Sequence, residues 1–288
     1  MQPISPCILE HLVFSKPYFD PAGLILALKD NEPVGFVHAG FGANEEQTAI
    51  STDIGTTYQL VLRSDHRDES LASELLALSE AYLRKRGASV IYAGGIRPLN
   101  AFYLGMYGGS ELPGVLAGDT VFHNACRTGG FREIDHVEIL QLELGTFRPP
   151  ISRNQRQLRR EMVGHEIPSP PARSWWEACT TGAFERIHFL LTRPSSCAPL
   201  ADVWFWDVEP LSTSWGAPTA GMFDLGVASD QRRKGLAIFL LSDAFERLRN
   251  RGIQLVEAQT MRQNAPAIAL YKKLGFKLID EGIVYRKE

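Results

Sequence analysis

Apolar side chains at Leu236, Leu240, Leu241, Ala244, Phe245 and Leu248 recur at intervals of three and four, the spacing of one face of an α-helix, and Gly252 supplies a stop. On either side the pattern changes. TAGMFDLGVAS (219–229) and IQLVEAQT (253–260) are short, mostly apolar runs that read as strands. A second helix over APAIALYKKLG (265–275) and a closing strand over FKLIDEGIVYRK (276–287) follow. Strand, loop, helix, strand, helix, strand is the order of a mixed α/β (α+β) domain, in which helices flank a central mixed sheet.

The same grammar occurs upstream. SDHRDESLASELLALSEAYLRKRGASVIYA (64–93) aligns without a gap beneath SDQRRKGLAIFLLSDAFERLRNRGIQLVEA (229–258), with Leu71, Ala72, Leu75, Leu76 and Gly87 meeting identical residues at an offset of 165. GGFREID (129–135) resembles LGFKLID (274–280), but at an offset of 145. The first repeat therefore carries 20 additional residues, RPLNAFYLGMYGGSELPGVL (97–116), whose Gly105, Gly108 and Gly109 predict a turn that shapes an interface or covers a pocket. Gly and two prolines in ELGTFRPPISRN (143–154) break both periods and place a junction near residue 148, giving units 1–148 and 149–288. Proline-rich IPSPPARS (167–174) is the rival linker, but a cut there strips the second unit of its opening helix. The first unit lacks such a helix and runs quickly into a hairpin over 24–41.

The loop before the helix at 236 concentrates charge: Gln231, Arg232, Arg233 and Lys234 lead into Gly235. A helix N-terminus already carries unpaired N–H groups and about half a positive charge, so cations there are unfavourable unless an anion joins them. Gly235 and Ala237 leave the backbone bare enough for a phosphate to approach. Alone, the loop reads more readily as an ordinary solvated turn before a helix. Its context adds weight: strands lie before the loop and after its helix, and Asn264, Tyr271, Gly275 and Phe276 form an N-x6-Y-x3-GF run. In that order the chain resembles the GNAT superfamily of acyl-CoA N-acyltransferases, and its repeat makes it similar to a tandem GNAT protein with strong motifs only in the second half.

The resemblance implies acetyl-CoA as co-substrate, no metal, and an amine acceptor, either a small molecule or a peptide. It implies cofactor contacts from Arg232, Arg233, Lys234, Gly235, Leu236 and Ala237 at the pyrophosphate, and from Leu225 and Val227 on the preceding strand at the pantetheine arm. Asn264 either bonds to that arm or caps the last helix. Tyr271 matches the family tyrosine that protonates the departing thiolate, where negative charge collects as an amine attacks the thioester. Its other reading is an amphipathic core tyrosine. Glu257 and Asp224 lie on the central strands, where family members draw the amine proton to a carboxylate, and the sequence does not choose between them. Trp204 and Trp206 alternate along DVWFWDV and read more readily as core than as a substrate platform.

The first repeat departs from the motif. Ser70 replaces the glycine, Asp68 and Glu69 stand in place of Arg233 and Lys234, and Cys126 occupies the position of Tyr271. Two carboxylates repel a pyrophosphate, and a thiol is a poor substitute for the phenol, so this half is expected to be silent and to form one wall of the acceptor site. A net charge of -3 gives no footprint for nucleic acid or an anionic membrane. Four scattered cysteines and the absence of a leader-like N-terminus fit a cytoplasmic protein, monomer or homodimer. A noncatalytic acyl-CoA-binding or regulatory module stays open as an alternative. So does a tandem protein moving an aminoacyl group from a charged RNA, with little support from so small a net charge.

Overall fold

The computed structural model describes residues 5–97, 99, 101–107, 109–208, 212–213 and 215–288. After two helical turns, α1 (Pro6–Leu9) and a π-helical turn at Glu10–Phe14, the first repeat runs β1 (Leu24–Lys29), β2 (Glu32–Ala43), β3 (Ile50–Leu62), α2 (Glu69–Lys85), β4 (Val90–Ala93), β5 (Val115–Leu116), α3 (Thr120–Thr128) and β6 (Arg132–Glu143). The second runs α4 (Arg153–Glu161), β7 (Val163–Pro168), α5 (Trp175–Thr180), β8 (Arg186–Thr192), β9 (Ala201–Asp207), β10 (Thr219–Val227), α6 (Leu236–Asn250), β11 (Leu255–Met261), α7 (Ala265–Leu274) and β12 (Lys277–Lys287). The α6 residues that are buried are those of the apolar stripe, Leu236 through Leu248.

Among the described residues the strands form one twelve-stranded mixed sheet in the order β1-β2-β3-β4-β12-β6-β11-β10-β9-β8-β7, with β5 beside β12. The order shows a reciprocal exchange of last strands. β12, from the second repeat, lies against β4 of the first, where Tyr285 pairs with Ala93. β6, from the first repeat, lies against β11 of the second, where Glu143 pairs with Leu255. The cores follow the exchange. Leu140, Leu142, Leu144 and Phe147 pack with Phe245 and Leu248 in the second half, while Tyr285 joins Leu75, Phe122 and Phe131 in the first. The junction near 148 falls in the irregular segment between β6 and α4.

The first two cores hold the buried faces of α2, α3, α6 and α7, and a third, separate cluster gathers Leu12 and Val13, the 97–116 segment through Phe102, Tyr103 and Met106, and Trp176 of α5. Gly108, part of the predicted turn, lies outside the described residues. Both central parallel ladders are short and start at equivalent residues. Ile54 pairs with Val90 in the first half and Thr219 with Leu255 in the second; the ladders end at Thr57–Ala93 and Met222–Ala258. Beyond those pairs the strands diverge, and β10 continues with β9 alone, irregularly between Phe223 and Gly226. A notch opens in the sheet at each divergence.

Candidate active site

At the mouth of the second notch, Arg233 and Gly235 both adopt left-handed backbone, φ 62° and 82°. This turn brings the chain from the 3-10 turn at Ser229–Gln231 into α6 with Gly235 as its N-cap. Glycine offers no side chain to the first N–H groups of the helix, and no side-chain cap is formed. Asn154 and Gln155 of α4 brace the turn by donating to the carbonyls of Lys234 (2.9 Å) and Gly235 (3.2 Å). Arg232 Nε donates to Val227 O, tying the loop to the end of β10. Among the described residues none of Arg232, Arg233 and Lys234 is in an ion pair, and all three are exposed. Leu225 and Val227, on the stretch of β10 that β11 does not pair with, are half-buried against the second core. Leu236 is buried and Ala237 half-buried at the start of α6.

The equivalent place in the first half is occupied by its own sequence. Asp68 caps α2, its Oδ1 accepting from Ser70 N at 2.8 Å. The carboxylate that was expected only to repel a phosphate also takes the N–H group that a phosphate would need.

Deeper in the second notch the two carboxylates part company. Glu257 is fully buried, and its Oε1 accepts from Ser110 N (2.6 Å) and Gln259 Nε2 (3.1 Å). Burial, opposed by those hydrogen bonds and assisted by the neighbouring Glu111, raises its pKa to about 7. Asp224, at a left-handed φ of 51°, is gripped by Arg97 Nη2 (2.6 Å) and Arg173 Nη2 (2.7 Å). Burial pushes the Asp224 carboxyl up, but the Arg97 and Arg173 guanidiniums outweigh it and hold the pKa below the ordinary value. The charges continue as a chain: Glu111 with Arg97, Arg173 with Glu177, Glu177 with buried Arg186.

Tyr271, on the inner face of α7, is buried with its ring 5.3 Å from that of Phe276. Burial first, and the Glu111 charge second, push its hydroxyl up to about 12, so the phenol keeps its proton at neutral pH. Asn264 caps α7, Oδ1 accepting from Ala267 N at 3.3 Å. In the first half Asp119 caps α3 in the same register, and Cys126 is buried at the tyrosine position.

A cavity of about 90 Å³ lies beside the notch. The first half lines it with Gln47, Arg97, Ser110 and Glu111, and the second with Arg173, Trp206 and Phe223 among others. Trp206 is thus both core and wall, whereas Trp204 is buried beneath the guanidinium of Arg173, 4.6 Å from its ring centre. Sequence reasoning missed Arg97, Ser110, Glu111 and Arg173. The only signal available was the 20-residue excess in the first repeat, which contains three of them.

The family model for the acetyltransferase (GNAT) family matches residues 6–108 and 162–276, well over half of the chain. The chain belongs to the GNAT family. This GNAT protein is 36% identical over 70 residues to the mycothiol acetyltransferase of Saccharomonospora viridis, covering 24% of this chain and 23% of that one. It is 39% identical over 57 residues to the [ribosomal protein bS18]-alanine N-acetyltransferase of Escherichia coli K12, covering 20% and 38%. These matches thus span well under half of the length of either relative. Among solved structures, a tandem GNAT protein from the clavulanic acid biosynthesis pathway shares the fold, with 16% identity, a TM-score of 0.62 and coverage of 94% of this chain and 85% of that one. A GCN5-related N-acetyltransferase from Sphaerobacter thermophilus does likewise (15% identity, TM-score 0.63, 93% and 81%).

Proposed function

We propose that the protein is an acetyl-CoA-dependent N-acetyltransferase whose second repeat, within 149–288, is catalytic and whose first, within 1–148, is a degenerate partner. The observation that carries this reading is the contrast between the two helix N-termini. One is uncapped beside three unpaired cations and an open notch; the other is closed by Asp68. Bare N–H groups, a helix dipole and three cations fit a pyrophosphate, and the free edge of β10 at Leu225 and Val227 fits an amide-bearing arm. Asn264 is already engaged as a cap, which favours that role over a ligand contact.

When bound, acetyl-CoA supplies a thioester that an amine attacks directly. Glu257 is the residue that receives the amine's proton, because a carboxyl with a pKa near 7 is half ionised at neutral pH and basic enough to hold the proton. Asp224 is the weaker candidate: two arginines neutralise it, and its role is to hold Arg97 of the first half to Arg173 of the second. Tyr271 keeps the phenolic proton that the leaving sulfur needs. The acceptor is an amine, on a small molecule or a peptide, entering at the cavity walled by both halves. Incubation with acetyl-CoA and a pooled amine library, read by release of free thiol, tests the proposal. Tight acetyl-CoA binding without thiol release for any amine would instead identify a binding protein.

A further inference from the structure

The 97–116 segment, which only the first repeat possesses, passes directly over Glu257 at Gly109 and Ser110. Gly109, at φ 107°, has no room for a Cβ: one built there collides with both carboxylate oxygens. Ser110 follows and donates its amide N–H to Glu257 Oε1 at 2.6 Å. It also packs so closely on β10 that a Cβ on Gly221 would strike its own. Yet the Ser110 hydroxyl, in a side chain only 1% exposed, and Glu257 Oε2 each lack a well-aligned hydrogen bond, although the Ser110 side chain lies near enough to the carboxyl to help lower its pKa. Two buried oxygens without a well-aligned partner are costly, and each such atom calls for an explanation.

Position supplies one. Ser110 lines the cavity, whereas Glu257 is sealed beneath the segment and is not among the residues that reach it. A hydroxyl both donates and accepts, so it can take a proton on one side while giving one on the other. We propose that Ser110 is the proton relay between an amine held in this cavity and Glu257. The inference rests on the acetyltransferase reading of the second half. As the nitrogen forms its bond to the acetyl carbon, its N–H proton passes to Ser110 Oγ while the Ser110 O–H proton passes to Glu257 Oε2. The N–H bonding pair stays on nitrogen, Ser110 ends unchanged, and Glu257 ends protonated until it returns the proton to solvent. The first repeat would thereby contribute a reacting group to a site whose other groups belong to the second.

The test uses the full chain, acetyl-CoA and the best acceptor from the amine pool. Ser110→Ala should lower kcat about 10²-fold, at the low end of general acid–base contributions, with acetyl-CoA affinity unchanged. Ser110→Cys, which keeps a transferable proton, should recover much of that loss. The rising limb of kcat/KM near pH 7, set by Glu257 with Ser110, Gln259 and Glu111 around it, should persist at a lower plateau in Ser110→Ala and vanish in Glu257→Gln. The unaltered protein should show a curved dependence of rate on solvent deuterium fraction, the mark of two protons moving together. A linear dependence, or Ser110→Ala turnover within threefold of the parent while Glu257→Gln is inactive, overturns the relay and leaves the acetyltransferase reading intact. Absence of thiol release from the unaltered chain removes that reading and the relay with it. Should Ser110→Ala fail to fold, the cysteine variant and the isotope measurement still decide.

Discussion

In the proposed reaction Glu257 and Tyr271 face opposite demands, and the same force sets both. Burial raises both pKa values, which makes the carboxyl a base near neutrality and keeps the phenol an acid. Tyr271→Phe preserves the ring and its contact with Phe276 and removes only the proton. Turnover should fall by ~10²–10⁴-fold with acetyl-CoA affinity unchanged if departure of the thiolate limits the rate. Near-normal kcat with a lowered melting temperature would return Tyr271 to the core. For Glu257, the folded pKa of about 7 lies above the ordinary 4.5, so its contribution to stability is whole below pH 4.5 and is lost as pH rises through 7. Glu257→Gln should therefore gain stability relative to the parent between pH 5 and pH 8, by roughly 2–3 kcal/mol at most. Denaturant midpoints at the two pH values check this, and equal shifts would show that the carboxyl is not desolvated. The parent's kcat/KM should climb with pH and level off above about 7.

At the scale of elements, the Asp68 cap closes the helix N-terminus of the first repeat, whereas Gly235 leaves that of the second open. Calorimetric titration should give one acetyl-CoA per chain, and two equivalent sites would refute the asymmetry of the halves. Gly235→Glu should abolish binding, since the backbone is left-handed, Asn154 Nδ2 stands 2.5 Å from a Cβ, and a carboxylate replaces bare N–H groups. Ser70→Glu should leave binding unchanged. Arg232→Ala and Lys234→Ala, which strain no backbone, should each weaken it about tenfold, as a lost charge-assisted hydrogen bond does. Much of this level is legible in the sequence. The stripe from Leu236 to Leu248 fixes α6, and the gapless match of 64–93 to 229–258 foretells that both parallel ladders begin at equivalent residues. What escapes is contact across large separations. Ser110 meets Glu257 from 147 residues away, and nothing periodic relates the Arg97 and Arg173 side chains to Asp224. Such pairs follow from where an irregular segment lands, and irregular segments carry no repeating pattern to read.

For the whole molecule, the exchange of β6 and β12 joins the repeats more firmly than any linker. It was hidden because FREID and FKLID are near copies, and either satisfies the edge of either half. A 149–288 fragment lacks β6 between β11 and β12, and Leu140, Leu142 and Phe147 are missing from its core. Alone it should aggregate or stay unfolded, and co-production with 1–148 should restore a soluble, acetyl-CoA-binding particle. Sedimentation and circular dichroism of the two preparations decide this, and a monomeric fragment that unfolds cooperatively would show the halves to be independent. The exchange also sets a clock on the ribosome. β4 is made early, but the strand that completes its side of the sheet lies almost 200 residues downstream. At about 5–20 residues per second the unfinished first core waits roughly 10–40 s with an unpaired strand edge, an interval in which a nascent chain needs shelter from its neighbours.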